Sequence, residues 1–147
     1  MNRKRIILIG LIAVAIGAAY GLKEYMRGHA DVEGMEVAHA VDAQQLLADF
    51  MADESAATAN YVGVKEQAIV VKGLIKGIEK GAGDAADNVL LDSGDDFADV
   101  ICEFKKGTVP GSWQPGSIVA VKGICTGYLG SEMLPGNVIL QRCVAVE

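Results

Sequence analysis

The sequence has few of the residues that carry most enzyme chemistry and most metal sites. Of its 147 residues only two are histidine and three are cysteine, at positions 102, 125 and 143. The cysteines form no C-x-x-C pair, which excludes zinc ribbons and thioredoxin-type redox motifs. No nucleophile beside a base and no set of metal ligands is visible. We therefore expect a protein that is not an enzyme, with no catalytic residues, metal or cofactor.

Two patterns that resemble ligand loops lack the residues that would define them. Four aspartates crowd residues 92–99, but the alternating spacing and closing glutamate of a calcium loop are absent. Gly81-x-Gly83 lacks the third glycine and the following helix of a dinucleotide site. We expect the first to be a solvated hairpin tip and the second a flexible turn.

Basic residues are scarce after position 27. From Gly28 onward the chain has eight basic and eighteen acidic residues, a formal charge of −10, and no arginine occurs between Arg27 and Arg142. Such acidity favours solubility and repels polyanions. We therefore expect nucleic acid and anionic membrane surfaces to be poor partners for this part of the chain as a whole.

Residues 1–27 are typical of a signal anchor with a single transmembrane helix. Asn2-Arg3-Lys4-Arg5 precedes an uncharged, mostly apolar run over residues 6–22, which as a helix is roughly 25 Å long against a bilayer core of about 30 Å. A cleaved secretory signal with its small-residue site at positions 17–19 is the alternative. The slight excess of Lys and Arg before the run predicts a cytoplasmic N-terminus, a chain held at the cell membrane, and a periplasmic remainder.

A tether and one helix follow the anchor. Residues 28–41 are polar to mixed and contain both histidines, to which we assign no role. Asp42 and Gln45 resemble a capping box. Leu46, Leu47, Phe50 and Met51 then recur at helical spacing, which predicts a helix packed on the rest of the domain. A peptide-binding or dimerising helix is the alternative.

The last eighty or so residues predict a small β-barrel. Val71-Lys72-Gly73 and Val121-Lys122-Gly123 repeat one unit, and a glycine within a strand marks a bend or the close approach of another backbone. Short strands, glycine-rich turns and one helix favour a mainly β fold, a five-stranded OB-type barrel with an N-terminal edge helix over residues 42–147. The predicted strands are residues 67–78, 88–92, 99–104, 117–126 and 137–146.

The same residues resemble a known family. Val121-Lys122-Gly123-Ile124-Cys125-Thr126-Gly127, with Cys143 after it, looks like the tRNA_anti-like bacterial OB-fold proteins, as do Val71-Lys72-Gly73 and Val100-Ile101-Cys102-Glu103-Phe104. The resemblance covers about residues 43–147, and an N-terminal anchor is usual in the family. It implies an OB barrel. The family's name refers to the anticodon-binding barrels of aminoacyl-tRNA synthetases, so it also implies single-stranded nucleic acid as an alternative ligand.

Binding of single-stranded nucleic acid requires aromatic platforms and a basic groove. The first three predicted strands and their turns offer only Phe97 and Phe104 as aromatic residues, and Phe104 shares the inward face of Val100 and Cys102. We therefore predict a membrane-tethered extracytoplasmic binding module for an envelope protein, a peptide or an oligosaccharide. A nucleic-acid-binding OB domain is the alternative.

Two groups of residues are the candidate sites. Cys125 and Cys143 lie on the last two predicted strands, where a hairpin would bring them opposite each other and allow a disulfide; three buried free thiols are the alternative. The second group is a candidate patch for an anionic or sugar-like ligand, and a solvated barrel face is its alternative. Its members are Lys72, Lys76, Trp113, Lys122 and Tyr128.

Overall fold

Two units make up the chain in the computed structural model, which describes residues 3–27, 32–62, 67–131 and 133–147. The first unit is Met1–Asp31 and the second is Val32–Glu147. Helix α1, Arg3–Arg27, is the helix of the first unit. Within the described ranges, none of the helices has both the length and the apolar character needed to cross a membrane.

The second unit is a closed barrel of five strands, as predicted. Its strands are β2 Ala68–Glu79, β3 Asp87–Asp92, β4 Asp99–Phe104, β5 Ile118–Leu129 and β6 Asn137–Val146. Strand order around the barrel is β2-β3-β4-β6-β5, and β5 pairs again with β2 to close it. All of these pairs are antiparallel except β4 with β6, which is parallel.

The two strand glycines lie where neighbouring groups approach closely. A Cβ atom built on Gly73 would lie 3.0 Å from the Cβ of Ala43, which comes from the helix over the barrel. A Cβ atom on Gly123 would lie 2.7 Å from Cys143 Sγ. Real Cβ atoms essentially never lie as close as the contact at Gly123, so that position requires glycine in the present packing, whereas a side chain at position 73 would require Ala43 to move by a few tenths of an ångström.

The predicted edge helix is present but consists of two segments. Helix α2, Ala43–Ala52, places Leu46, Leu47 and Phe50 in the barrel core, whereas Met51, expected on the same stripe, is 52% exposed. Asp53 is extended and accepts a hydrogen bond from the backbone N–H of Ala56, so it ends α2 and begins the short helix α3, Glu54–Ala57. A π-turn, Thr58–Val62, follows. The predicted cap is not formed, because the Asp42 side chain makes no capping hydrogen bond.

A sixth strand occupies part of the predicted tether. The second unit begins with a 3₁₀ turn, Val32–Gly34, followed by β1, Val37–Asp42. Strand β1 runs parallel to β2 and pairs with its residues from Ala68 to Lys72. Residues 32–41 are therefore part of the folded unit, whereas positions 28–31, which include His29, lie outside the described residues.

Candidate functional site

Lys122, one of the five predicted patch residues, is a structural residue. Its side chain is buried, and Nζ donates to the carbonyl oxygen of Glu33 at 3.0 Å and to that of Met35. A buried ammonium group needs such acceptors. Lys122 therefore holds the turn before β1 against the barrel wall, and its charge does not face an external ligand.

Three other members of the predicted patch lie in separate surroundings. Lys76 forms an ion pair with Asp99, with 2.9 Å between Nζ and Oδ1, and this hydrogen bond raises the pKa of Lys76. The Trp113 ring packs edge-on against Phe104, with centroids 5.8 Å apart. Lys72 is exposed beside a cavity of about 270 Å³ that Asp42 and other residues line.

Tyr128, the fifth member, lines a groove on the surface of the barrel. This groove, of about 590 Å³, lies between α2–α3 and the connection from β5 to β6, and we call it the α2 groove. Among the described residues, those that line the groove share an apolar character apart from one carboxylate, one serine and the tyrosine hydroxyl. They are Phe50, Met51, Glu54, Tyr128, Gly130, Ser131, Met133, Leu134 and Pro135.

The α2 groove has a rigid floor and exposed apolar walls. The Tyr128 ring stacks on Phe50, with centroids 5.8 Å apart and planes 21° from parallel. The Tyr128 hydroxyl accepts a hydrogen bond from the backbone N–H of Gly136 at 3.0 Å, which fixes its position. Met133 and Leu134 are 90% and 65% exposed. Exposed apolar side chains grouped around a concave surface are typical of an interaction site.

The outer face of β3 and β4 is a second candidate surface, because OB barrels commonly bind oligonucleotides and oligosaccharides on these two strands of the barrel. Alternate residues face outward, and the cross-strand pairs on this face are Asn88 with Glu103, Leu90 with Ile101, and Asp92 with Asp99. Three of the six side chains are carboxylates. Asp99 is ion-paired with Lys76, and the other two carboxylates leave the face with a negative charge that disfavours phosphate groups.

In the acidic turn at residues 92–99, two carboxylates accept hydrogen bonds from backbone N–H groups of the same turn. Asp92 Oδ1 accepts from the N–H of Gly94 at 2.9 Å, and Asp95 Oδ1 accepts from the N–H of Phe97 at 2.7 Å. These are the local hydrogen bonds by which aspartates stabilise turns. Within the described part of the chain, no three His, Cys, Asp or Glu residues are grouped as they would be to hold a metal ion.

The predicted disulfide between Cys125 and Cys143 is not formed: all three cysteines are buried free thiols. Cys125 pairs with Leu140 across the β5–β6 ladder, so it does not lie opposite Cys143. Burial raises the pKa of Cys125 to about 11. Burial, followed by a hydrogen bond with Cys102, raises the pKa of Cys143 well above its ordinary value.

Asp87, which sequence reasoning did not single out, connects two loops to the barrel. Its carboxylate accepts from the backbone N–H of Gly107 and of Gly81, both at 3.0 Å, and lies 3.4 Å from Lys80 Nζ. These hydrogen bonds, the one from Gly107 first, hold the pKa of Asp87 below its ordinary value. Asp87 is therefore an ionised residue that stabilises the fold.

Tyr61, also not predicted, fixes the π-turn to α2. Its hydroxyl donates to Asp49 Oδ2 at 2.6 Å. Burial and then this hydrogen bond raise the pKa of Tyr61 to about 12. His39 packs edge-on against the same ring at 5.5 Å.

Sequence reasoning identified Tyr128 as a patch residue and placed Phe50 and Met51 on a helix with peptide binding as an alternative role, but it did not identify the rest of the α2 groove. Glu54, Met133 and Leu134 had no predicted role, and the last two lie between the predicted strands of residues 117–126 and 137–146. Two large apolar residues in a glycine-flanked loop were the available signal, since such side chains are costly to leave in water unless they have a partner.

Comparisons with known proteins connect the chain to one family. The tRNA_anti-like family model matches residues 1–144. None of the curated proteins matches the chain.

Several solved structures are similar to the chain at low sequence identity. A lipoprotein of Klebsiella pneumoniae subsp. pneumoniae MGH 78578, whose description proposes nucleic-acid binding, is 20% identical over 79% of this chain and 95% of that one, with a TM-score of 0.49. The structure of yeast Stn1 and Ten1 is 12% identical over 76% of this chain and 64% of that one, with a TM-score of 0.42. Asparaginyl-tRNA synthetase of Entamoeba histolytica is 17% identical over 57% of this chain and 21% of that one, with a TM-score of 0.37.

Proposed function

The chain belongs to the tRNA_anti-like family, and we propose that its barrel is a binding module that takes a short segment of a partner protein in the α2 groove. The segment is apolar and carries a positive charge. The observation that supports this function is the groove itself, in which exposed Met133 and Leu134 surround a fixed tyrosine and one carboxylate. The barrel fold alone does not specify a ligand, so the argument rests on this site.

Charge supports a cationic partner. The chain from Gly28 onward has a formal charge of −10, and Glu54 is the carboxylate among the described residues that line the groove. Complementary charge increases the rate of encounter and selects among partners, while the apolar walls supply most of the affinity. A lysine or arginine next to apolar residues satisfies both requirements.

Aromatic geometry favours a peptide over an oligosaccharide. Sugar rings bind well against an open aromatic face, but one face of the Tyr128 ring is covered by Phe50. Trp113 is half-buried and packs against Phe104. Flexible apolar side chains such as Met51 and Met133 instead suit an apolar peptide, because methionine adapts to irregular surfaces.

Selection of random-sequence peptides on the immobilised full chain tests this function. We expect the selected peptides to combine apolar residues with Lys or Arg. We also expect Leu134→Ser to weaken their binding by about tenfold and Glu54→Gln to weaken it less. Ile118→Ser is the matched control, because Ile118 is 68% exposed but lines a different cavity. Equal binding to the wild type and to Leu134→Ser would refute the groove as the site.

We also propose that the module is tethered to the cytoplasmic membrane and lies on its outer side. The support is in the sequence, where a basic start precedes the apolar run of residues 6–22. Protease treatment of spheroplasts that carry a C-terminally tagged chain tests this placement. Digestion without lysis would support it, and protection until lysis would contradict it.

Single-stranded nucleic acid is the second candidate ligand, and the family's description favours it. Such binding predicts an affinity for a labelled oligonucleotide that falls steeply with salt, by roughly 0.7 log units per log unit of salt for each phosphate contacted. Fluorescence anisotropy of a mixed-sequence oligonucleotide at several salt concentrations measures this slope. Because the outer face of β3 and β4 carries three carboxylates, we expect little binding.

A further inference from the structure

We propose that Met133 and Met51 are the sites at which a peroxide modifies the folded barrel, and that their conversion to sulfoxides weakens binding in the α2 groove. The effect on binding rests on the function proposed above for this groove. The sites of oxidation do not depend on that function and can be tested without a ligand.

Two walls of the α2 groove are exposed methionine side chains. Met133 is 90% exposed and Met51 is 52% exposed, and both line the groove. A thioether carries no proton that must be removed before it reacts, so access of the oxidant to the side chain governs the rate. Exposure therefore makes Met133 the first of the two to react and Met51 the second.

The fold itself keeps these side chains at the surface. The loop that contains Met133 is closed by two hydrogen bonds, from the N–H of Ser131 to the carbonyl oxygen of Leu134 at 3.0 Å and from the N–H of Leu134 to Ser131 Oγ at 3.2 Å. Met51 follows Phe50 in the last turn of α2, and Phe50 rather than Met51 occupies the core. Both exposures therefore belong to the native packing.

The other sulfur atoms described in the barrel unit are better protected. Met35 is half-buried and packs against the small cluster of Val32, Ala68 and Ile124. The three cysteines are buried. Because burial raises the pKa of Cys125 to about 11, this thiol also stays protonated, and the thiolate is the form that reacts.

The oxidant is hydrogen peroxide. A lone pair of the thioether sulfur attacks one peroxide oxygen, and the O–O bond breaks as the S–O bond forms. The proton on the transferred oxygen passes to the departing hydroxide, so the products are one sulfoxide and one water. The sulfur loses two electrons and the peroxide gains them.

Sulfoxide formation changes the character of the groove. The product is a polar side chain whose oxygen accepts hydrogen bonds, and an apolar segment that covers it offers no donor. Covering such an oxygen without a hydrogen bond costs free energy, which the thioether does not require. We therefore expect peptides to bind the oxidised groove about tenfold more weakly. Methionine sulfoxide reductases reverse the change.

Peptide mapping tests the sites of oxidation. The folded full chain is treated with increasing amounts of hydrogen peroxide and then digested with a glutamate-specific protease, since cleavage at residues 36, 54 and 132 separates Met35, Met51 and Met133. Mass spectrometry gives the oxidised fraction of each peptide. We expect Met133 to react first, Met51 second and Met35 last. Oxidation of Met35 ahead of Met133 would overturn the proposal, whatever the groove binds.

Binding of a peptide selected on the untreated chain tests the effect on the groove. Peroxide should weaken its binding about tenfold, and treatment with both stereospecific sulfoxide reductases should restore it. The double variant Met51→Leu, Met133→Leu should bind the peptide and keep its affinity after peroxide, whereas the control Met35→Leu should lose affinity as the wild type does. An equal loss in the double variant would overturn the proposal. A chain that selects no peptide would instead refute the function of the groove, and the order of oxidation would still decide the modified sites.

Discussion

Replacement of Gly123 by alanine tests the close packing between β5 and β6. The added methyl group would lie 2.7 Å from Cys143 Sγ and 3.3 Å from the carbonyl oxygen of Gln141. Overpacking of this kind costs about 1–3 kcal/mol. Alanine also restricts the unfolded chain, which offsets about 0.4–1 kcal/mol of that cost. We expect a net loss of about 1–2 kcal/mol in the free energy of unfolding.

The clash with sulfur predicts strong coupling to Cys143→Ala. Cys143→Ala alone should cost about 1 kcal/mol, since it removes a buried sulfur. The double variant should lose at least about 1 kcal/mol less than the sum of the two single variants, because the methyl group then occupies the vacated space. Urea unfolding of the full-length wild type, the two single variants and the double variant gives the free energy of unfolding and the m value of each.

Gly77→Ala is the control for this cycle. A Cβ atom on Gly77 meets nothing within 4 Å, so its replacement should be neutral or slightly stabilising. If the losses of Gly123→Ala and Cys143→Ala add to within about 0.5 kcal/mol, the approach of Cys143 to Gly123 is not what excludes a side chain there.

Three further predictions concern polar groups that stabilise the fold. Lys122→Met should lower the free energy of unfolding in urea by about 2 kcal/mol, because it removes charge-assisted hydrogen bonds to two backbone carbonyls. It should also lower the hydrogen-exchange protection of the β1 amides, and unchanged protection would contradict this role. Because its folded pKa is depressed, Asp87 contributes stability that is present above its unfolded pKa of about 3.9 and lost as the pH falls through the folded value. Asp87→Asn should therefore flatten the acid limb of a stability–pH profile, and an unchanged limb would refute the assignment. The hydroxyl of Tyr61 should titrate with a pKa of about 12 in the folded chain. Because this pKa is raised above the unfolded value of about 10, the contribution of Tyr61 to stability is present below about pH 10 and is lost as the pH rises through the folded pKa. Ultraviolet titration of Tyr61→Phe should therefore lack this late phase of tyrosine ionisation.

The barrel could be predicted from the sequence because its strands have strong local signals. Strand β4 was predicted at its observed bounds, Asp99–Phe104, since Val100, Cys102 and Phe104 alternate with more exposed residues. The valine-lysine-glycine units marked both close approaches at Gly73 and Gly123. Alternation of apolar and more polar residues along the sequence predicts a β-strand with one buried face.

The features that the sequence did not reveal depend on backbone pairing and on a bulge. Five of the six residues of β1, Val37–Asp42, are exposed, so the sequence of this strand shows no alternation of buried and exposed residues. The strand is held instead by its backbone pairing with β2 and by the hydrogen bond from Lys122 to the turn that precedes it. Cys143 points inward past a bulge in β6, where Arg142 has a positive φ and the ladder with β5 shifts register. Arginine is not a residue type that predicts a positive φ. The predicted disulfide with Cys125 assumed a hairpin without this bulge.

For the candidate site, the structure shows which polar groups serve the fold itself. Lys122 binds the carbonyl groups before β1, Asp87 binds two loop amides, and Asp92 binds the amide of its own turn. None of these groups is available to a ligand without a loss of stability. Glu54 and Tyr128 differ, because they lie in a groove whose apolar walls are exposed. The groove thus combines a polar group that can orient a ligand with apolar surface that gains free energy when it is covered, which is why the ligand is placed there rather than on the lysines that the sequence first suggested.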